Sequence, residues 1–230
     1  MQIRQSEEMK SKLIACRVMI DEIRPFLAAE TEIEVFEISR HIHPSKLKDA
    51  LQEAIARADG CYDPILLGYG LCSNSVVGLK AKCSRIVIPK MHDCIGIFLG
   101  SHQAYLDEHE KEPGTYFLTQ GYIQGYLSEA QGPMGDWERA AKKYGPEKAD
   151  ELMGIMMKNY RRLVYIRTPE SIDLEGDRQY AHRFAERFSM RYEEMESSSR
   201  LLHKLVSGDW DEEFVVMEPG KEVTQEQFLI

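Results

Sequence analysis

Three cysteines and a histidine carry the chemistry that can be read from this chain. Cys16, Cys72 and Cys94 each stand in, or just beyond, the far end of a short apolar run, and His92 lies two residues before the third. Cys61 and Cys83 stand just before such runs instead. If the runs are parallel strands of one sheet, three thiols and an imidazole share its carboxyl edge and two thiols share the opposite edge. Thiolates with an imidazole are soft donors that suit Zn2+, tetrahedral at roughly 2.3 Å to sulfur and roughly 2.0 Å to nitrogen. Three thiolates with an open position also suit an iron–sulfur centre. Without a metal, Cys72 or Cys94 would be the nucleophile or redox thiol and His92 its base. The candidate metal ligands are therefore Cys16, Cys72, His92 and Cys94, and the candidate catalytic residues are Cys72, Cys94 and His92.

The elements that must position them follow a βαβ rhythm. Lys12–Met19 reads as a buried strand, and Glu32–Ile38 alternates apolar and acidic residues as a strand with one wet face. Leu47, Leu51, Ala54, Ile55 and Ala58 fall at helical spacing, with Gly60 as the stop signal. Pro64–Tyr69 and Arg85–Pro89 read as further buried strands, with a short helix over Val76–Ala81 between them. Right-handed crossovers and the usual doubly wound order then give the strand order 2-1-3-4 of a mostly parallel, Rossmann-like α/β sheet with helices on both faces. Ligands of such sheets bind in the crevice at the carboxyl ends of the strands.

Other residues fall near that edge. Gly68 and Gly70 flank Tyr69 at the exit of the third strand, where glycine lets the backbone bend or approach a ligand closely. Thr115–Thr119 reads as a fifth strand ending at the same edge. Tyr69, Gly70, Thr119 and Gln120 are accordingly the candidate cofactor- or substrate-binding residues. His92 and Cys94 project to one side if their segment is extended, which leaves Asp93 as an outer or helix-capping group. His41 and His43, after the second strand, are outer groups or a substitute ligand. There is no GxGxxG at the required spacing, no Walker loop, no GxSxG elbow and no HExxH helix.

Beyond these units, Pro146–Arg162 reads as a long helix with Met153, Met156 and Met157 in the core, and Lys158, Arg161 and Arg162 as a solvated basic face. Leu163–Arg167 and Met190–Met195 read as strands, and Phe214–Met217 as a last one. Gln131–Asp136, with two glycines and a proline, is the best internal boundary. The expected organisation is a Rossmann-like half over 1–130 bearing the Cys/His site, a C-terminal βα extension over 131–220 on the same sheet or as a small second lobe, and a frayed tail over 221–230.

The bulk numbers narrow the function classes. A net charge of −9 over 230 residues argues against a nucleic-acid surface, which needs a basic excess. The charged start MQIRQSEEMKSK lacks the apolar core of a secretory signal, and no run approaches the ~20 apolar residues of a membrane span. The expected location is the cytoplasm, where five cysteines are reduced thiols, ligands or nucleophiles rather than disulfides.

The segments Leu13–Cys16 (LIAC), Gly68–Leu79 (GYGLCSNSVVGL), Pro89–Ser101 (PKMHDCIGIFLGS), Pro113–Ile123 (PGTYFLTQGYI) and Ser207–Gly220 (SGDWDEEFVVMEPG) resemble the family called domain of unknown function 1638. The resemblance spans roughly residues 12–220. It implies a bacterial or archaeal cytoplasmic protein, often of anaerobes, encoded near corrinoid-dependent methyl-transfer systems. The family's distinctive cysteines correspond to Cys16, Cys72 and Cys94, with His92 beside the last. It implies no activity. The expectation is a zinc or iron–sulfur protein serving one-carbon or corrinoid-dependent methyl transfer, as enzyme or accessory factor, with a small-molecule ligand or a corrinoid methyl-transfer protein as partner. A metal-free thiol enzyme and a non-catalytic corrinoid- or small-ligand-binding protein are the alternatives.

Overall fold

A computed structural model describes residues 10–129, 132–171 and 175–229. The central strands form where apolar residues run without a break: β1 (Lys12–Cys16), β3 (Ile65–Gly68) and β4 (Ile86–Pro89) are buried along their whole length. A strand covered on both faces needs no polar alternation. β2 (Glu32–Phe36) keeps its wet face as the edge strand, where Glu34 pairs with Lys12 at 2.8 Å and Arg57 at 2.5 Å. The four strands are parallel in the order 2-1-3-4, one of the doubly wound orders that right-handed crossovers allow. Helix α1 (Arg17–Ile23) links β1 to β2, and α2 (Pro44–Ala58) links β2 to β3. The two connections run in opposite directions across the sheet, so right-handedness sends their helices to opposite faces.

The chain then departs from the expected single sheet. After α3 (Cys94–Phe98) and α4 (His102–Lys111), β5 (Thr115–Thr119) does not extend the first sheet. It pairs in parallel with β6 (Arg162–Arg167), which pairs with β7 (Arg191–Glu196), giving a second, three-stranded sheet. Between β5 and β6 lie α5 (Gln120–Glu129), α6 (Gly132–Tyr144) and α7 (Pro146–Met157), and α8 (Glu175–Arg187) precedes β7. The chain returns through α9 (Arg200–Ser207), which buries Leu201, Leu202 and Leu205, to β8 (Phe214–Met217), antiparallel to β4. The first residue of the proposed internal boundary, Gln131, lies outside the described residues, and Gly132–Asp136 are the opening turn of α6.

Several local readings change. Residues 76–81 form no helix: turns run to Gly78 and Lys80 makes an isolated bridge to Glu222, three residues with positive φ precede them, and the Gly78 amide donates to Val223 O at 2.8 Å instead of to a helical carbonyl. α7 stops at Met157, and Met153 and Met157 are core while Met156 is exposed. Arg162 belongs to no solvated face; it begins β6 and is fully buried. The tail is anchored, not frayed. Val223 and Phe228 are buried, and the Val223 amide donates to Leu79 O at 3.0 Å. Among the described residues no helix is long and apolar enough to cross a membrane.

One buried carboxyl joins α1 to the second sheet. Glu22 accepts a hydrogen bond from the Thr168 hydroxyl at 2.7 Å, its other oxygen has no partner, and burial raises its pKa from 4.5 to about 7. A carboxyl whose pKa rises on folding costs nothing below the unfolded value and destabilises as pH climbs through the folded one. Wild-type protein is therefore expected to lose up to about 3 kcal/mol between pH 4.5 and pH 8.5 from this group, and Glu22→Gln to remove that loss. Urea denaturation at both pH values checks it; parallel pH profiles for the two proteins would refute it.

Candidate functional site

Cys16 ends β1 and directly precedes the first turn of α1, so the carboxyl edge places it by backbone alone. Cys72 and Cys94 are brought together by two loops that bind each other. The Leu71 amide donates to Met91 O at 2.8 Å and the Cys72 amide to His92 O at 2.9 Å. This approach requires Gly70: a Cβ there would lie 2.7 Å from Met91 O and 3.0 Å from Asp93 N. The glycine makes room for the neighbouring loop. Asp93 then caps α3, accepting from the Ile95 amide at 2.9 Å and the Gly96 amide at 3.3 Å, and sets Cys94 as the first helical residue. Cys72, Ser73 and Asn74 are left-handed in succession, with φ of 44°, 56° and 65°. Left-handed backbone costs a non-glycine residue roughly 1–2 kcal/mol, so the surrounding contacts must hold Cys72 there. The Ser75 hydroxyl and amide both donate to Cys72 O, at 2.6 and 3.2 Å.

The opposite wall comes from α5. A Cβ on Gly121 would lie 1.9 Å from Val18 O, and one on Gly125 3.6 Å from Ile38 Cγ2. Gly121 lets α5 lie directly on α1, while Gly125, four residues on along the same helix face, has room for ordinary contacts. The tyrosine after each one follows it in. Tyr122 Oη is 2.8 Å from Cys94 Sγ, and Tyr126 Oη is 3.2 Å from Tyr116 Oη. Cys16, Cys94, Tyr122, Tyr126 and His41 line a half-open cavity of about 550 Å3, with the ion pair of Asp136 and Arg139 also on its wall.

Burial dominates the electrostatics. It pushes the Cys16 thiol up to about 12, with the Val18 amide opposing and Glu37 reinforcing the rise. Cys72 is likewise pushed up to about 12, by burial first and by Cys16 second. Cys94 is raised well above the usual thiol range by burial, then by Cys72. Cys72 and Cys94 thus feel their neighbouring thiols, and burial favours the protonated form of all three. Burial lowers the pKa of His41, which keeps its ring neutral. The rings of His41 and Tyr69 stack with centroids 5.9 Å apart, and neither His41 Nε2 nor Tyr69 Oη has a hydrogen-bond partner.

The other expected residues are placed differently. His92 is exposed, with its ring 5.6 Å from His102 and 6.1 Å from Tyr105, and it does not line the cavity. His43 is also exposed. Thr119 Oγ1 accepts from the Tyr122 amide at 3.3 Å, and Gln120 donates to Asp177 at 3.2 Å; both fix α5, and neither lines the cavity. Cys61 and Cys83 are exposed and free at the amino ends of β3 and β4. Among the described residues no three His, Cys, Asp or Glu side chains stand arranged to hold a metal ion. Tyr122 and Tyr126 were not foreseen. Their signal was present in Gly121-Tyr-x-x-Gly125-Tyr, a small-residue face followed each time by an aromatic.

The model of the family described as "Protein of unknown function (DUF1638)" matches residues 35–206, a span that includes Cys72 and Cys94 and leaves Cys16 outside. No curated protein and no solved structure matches the chain.

Proposed function

We propose, for a chain that belongs to this family of unknown function, that Cys16, Cys72 and Cys94 bind one soft metal ion at the carboxyl edge of the first sheet, beside the cavity that Cys16 and Cys94 line. The carrying observation is three buried thiols gathered at one edge of the sheet, with Cys16 bearing on Cys72 and both bearing on Cys94. A soft cation replaces their protons and removes the mutual repulsion that opposes ionisation. Zinc and an iron centre both suit such donors. The sulfurs must rotate toward a common point to ligate, and the cavity beside Cys16 and Cys94 gives them room. His41, neutral and with an unpartnered ring nitrogen, is the fourth donor nearest in chemistry, in place of the exposed His92.

The rest of the cavity favours a small-molecule ligand beside the metal. Its size is that of an ordinary ligand pocket, and it lies at the carboxyl edge of a parallel sheet. A metal-bound thiolate meeting a small molecule there accords with one-carbon or corrinoid-dependent methyl transfer, the setting we propose. A metal-free nucleophile is the weaker reading, because the thiols are held protonated and His92 stands apart from them.

Protein purified without oxygen is expected to carry or take up one equivalent of Zn2+ or iron. Each of Cys16→Ser, Cys72→Ser and Cys94→Ser should weaken binding by roughly a hundredfold or more. Cys61→Ser with Cys83→Ser should leave it unchanged. Elemental analysis and metal titration read the outcome. Failure of wild-type protein to take up stoichiometric metal, or retention of metal by the triple variant, would overturn the proposal.

A further inference from the structure

The cavity of about 550 Å3 has a chemistry of its own, apart from any metal. Val18, Ile38, Cys16 and Cys94 in its lining are buried and present an apolar, polarisable surface. Tyr122 and Tyr126 add two rings whose hydroxyls are engaged, with Cys94 Sγ at 2.8 Å and Tyr116 Oη at 3.2 Å. They offer a ligand ring surface rather than hydrogen bonds. Charge in the lining is balanced. Among the described residues of the wall Arg139 is the only permanent cation, and it is paired with Asp136. Glu129 stands behind Ser39, accepting from its amide at 2.9 Å and its hydroxyl at 2.5 Å. One polar atom is left over. His41 lines the cavity, its ring stacked on Tyr69 with centroids 5.9 Å apart, and its Nε2 is buried without a hydrogen-bond partner. A buried polar atom left unpaired is costly, and in a native fold it marks a missing partner.

We propose that this cavity binds an uncharged, planar aromatic molecule, its rings against Tyr122 and Tyr126 and one polar group hydrogen-bonded to His41 Nε2. The inference narrows the small-molecule part of the function proposed above and does not require the metal. Pockets of this size hold a ligand mainly by apolar contact, with a few polar groups fixing its orientation. Ring-on-ring contacts, offset or edge-on, add to the area term. Nε2 is closed to water in the empty cavity, so the ligand reaches it as the neighbouring Ile42 side chain, 61% exposed, gives way. A phosphate ester gains nothing here, because it must compete with Asp136 for Arg139 and face Glu129.

The test uses the full chain with a chelator present and 2-naphthol as probe, read by its fluorescence and by titration calorimetry. One equivalent should bind. At about ten times the Kd, occupancy should slow the reaction of Cys16 and Cys94 with N-ethylmaleimide about tenfold, while the exposed Cys61 and Cys83 react as before. 2-Naphthyl phosphate should bind more weakly. The His41 bond is read by difference: affinity for 2-naphthol relative to 2-methylnaphthalene should fall about five- to tenfold in His41→Phe. No binding of 2-naphthol at about 1 mM, tighter binding of the phosphate, or binding that leaves Cys16 and Cys94 unprotected would each overturn the inference. So would an unchanged relative affinity in His41→Phe. Should that variant fail to fold, 2-naphthol must still shift the Nε2 nitrogen resonance of His41 in wild-type protein and 2-methylnaphthalene must not; equal shifts would overturn the assignment. Because the chelator removes metal, failure here leaves the metal reading intact, and failure of metal uptake leaves this one standing.

Discussion

Replacing Gly121 with alanine is expected to destabilise the protein by about 3 kcal/mol or more and to open the tyrosine wall of the cavity. Overpacking commonly costs roughly 1–3 kcal/mol because side chains adjust around the intruding atom. Here the added Cβ would sit 1.9 Å from the Val18 carbonyl oxygen, and a backbone atom in a packed helix has nowhere to go. Relief requires α5 to move off α1, which carries Tyr122 away from Cys94. Thermal unfolding should shift down on the order of 10 °C, and Cys94 should react faster with a thiol reagent. Gly125→Ala is the control: its Cβ would make only an ordinary contact at 3.6 Å, and alanine favours the helix. Gly121→Ala matching wild type in both stability and thiol reactivity would show that α5 does not depend on this approach.

Arg162→Ala should be comparably damaging, at the other end of the second sheet. The guanidinium is fully buried and donates to Thr115 Oγ1 at 2.9 Å and Glu193 at 3.3 Å, and it pairs with Glu108. It joins α4, β5, β6 and β7 at one point. Removing the buried guanidinium empties its site and takes one cation from partly exposed carboxylates, Glu108 keeping Lys111 and Glu193 keeping Arg191, at a cost of about 3 kcal/mol. The damage should be structural and confined to the second sheet, so chemical denaturation is the readout, with hydrogen exchange to locate it. Early loss of amide protection across β5–β7, with β1–β4 still protected, is expected. A change within about 1 kcal/mol would contradict the cluster's role.

The first sheet was legible because each of its strands carries its own evidence. LIAC and PILLGY are unbroken apolar runs, EIEVF alternates, and right-handed crossovers in the usual doubly wound arrangement give the order 2-1-3-4. Placement of Cys16, Cys72 and Cys94 on one edge followed from that order, and Asp93 was recognisable as a helix cap. The second sheet was not legible, because TYFLT would suit an added strand of the first sheet as well as the first strand of another. Nothing local distinguishes the two; the choice depends on which surface the strand buries.

Arg162 was misread for the same reason. Charge in a sequence suggests solvent, and only the converging carboxylates of Glu108 and Glu193 make its burial tolerable. The turns over 72–78 were missed because the left-handed backbone begins at Cys72, a residue with no preference for it, whose amide is held by His92 O of the neighbouring loop. By itself the sequence determined which residues alternate, which runs are buried and which thiols share an edge, since these follow from neighbours within a few residues and from chain handedness. The tertiary structure alone decided that His41 lines the cavity in place of His92, and that Tyr122 reaches Cys94. Those contacts depend on side-chain direction and on how closely two helices approach, which for α5 and α1 is set by the absence of a single Cβ at Gly121.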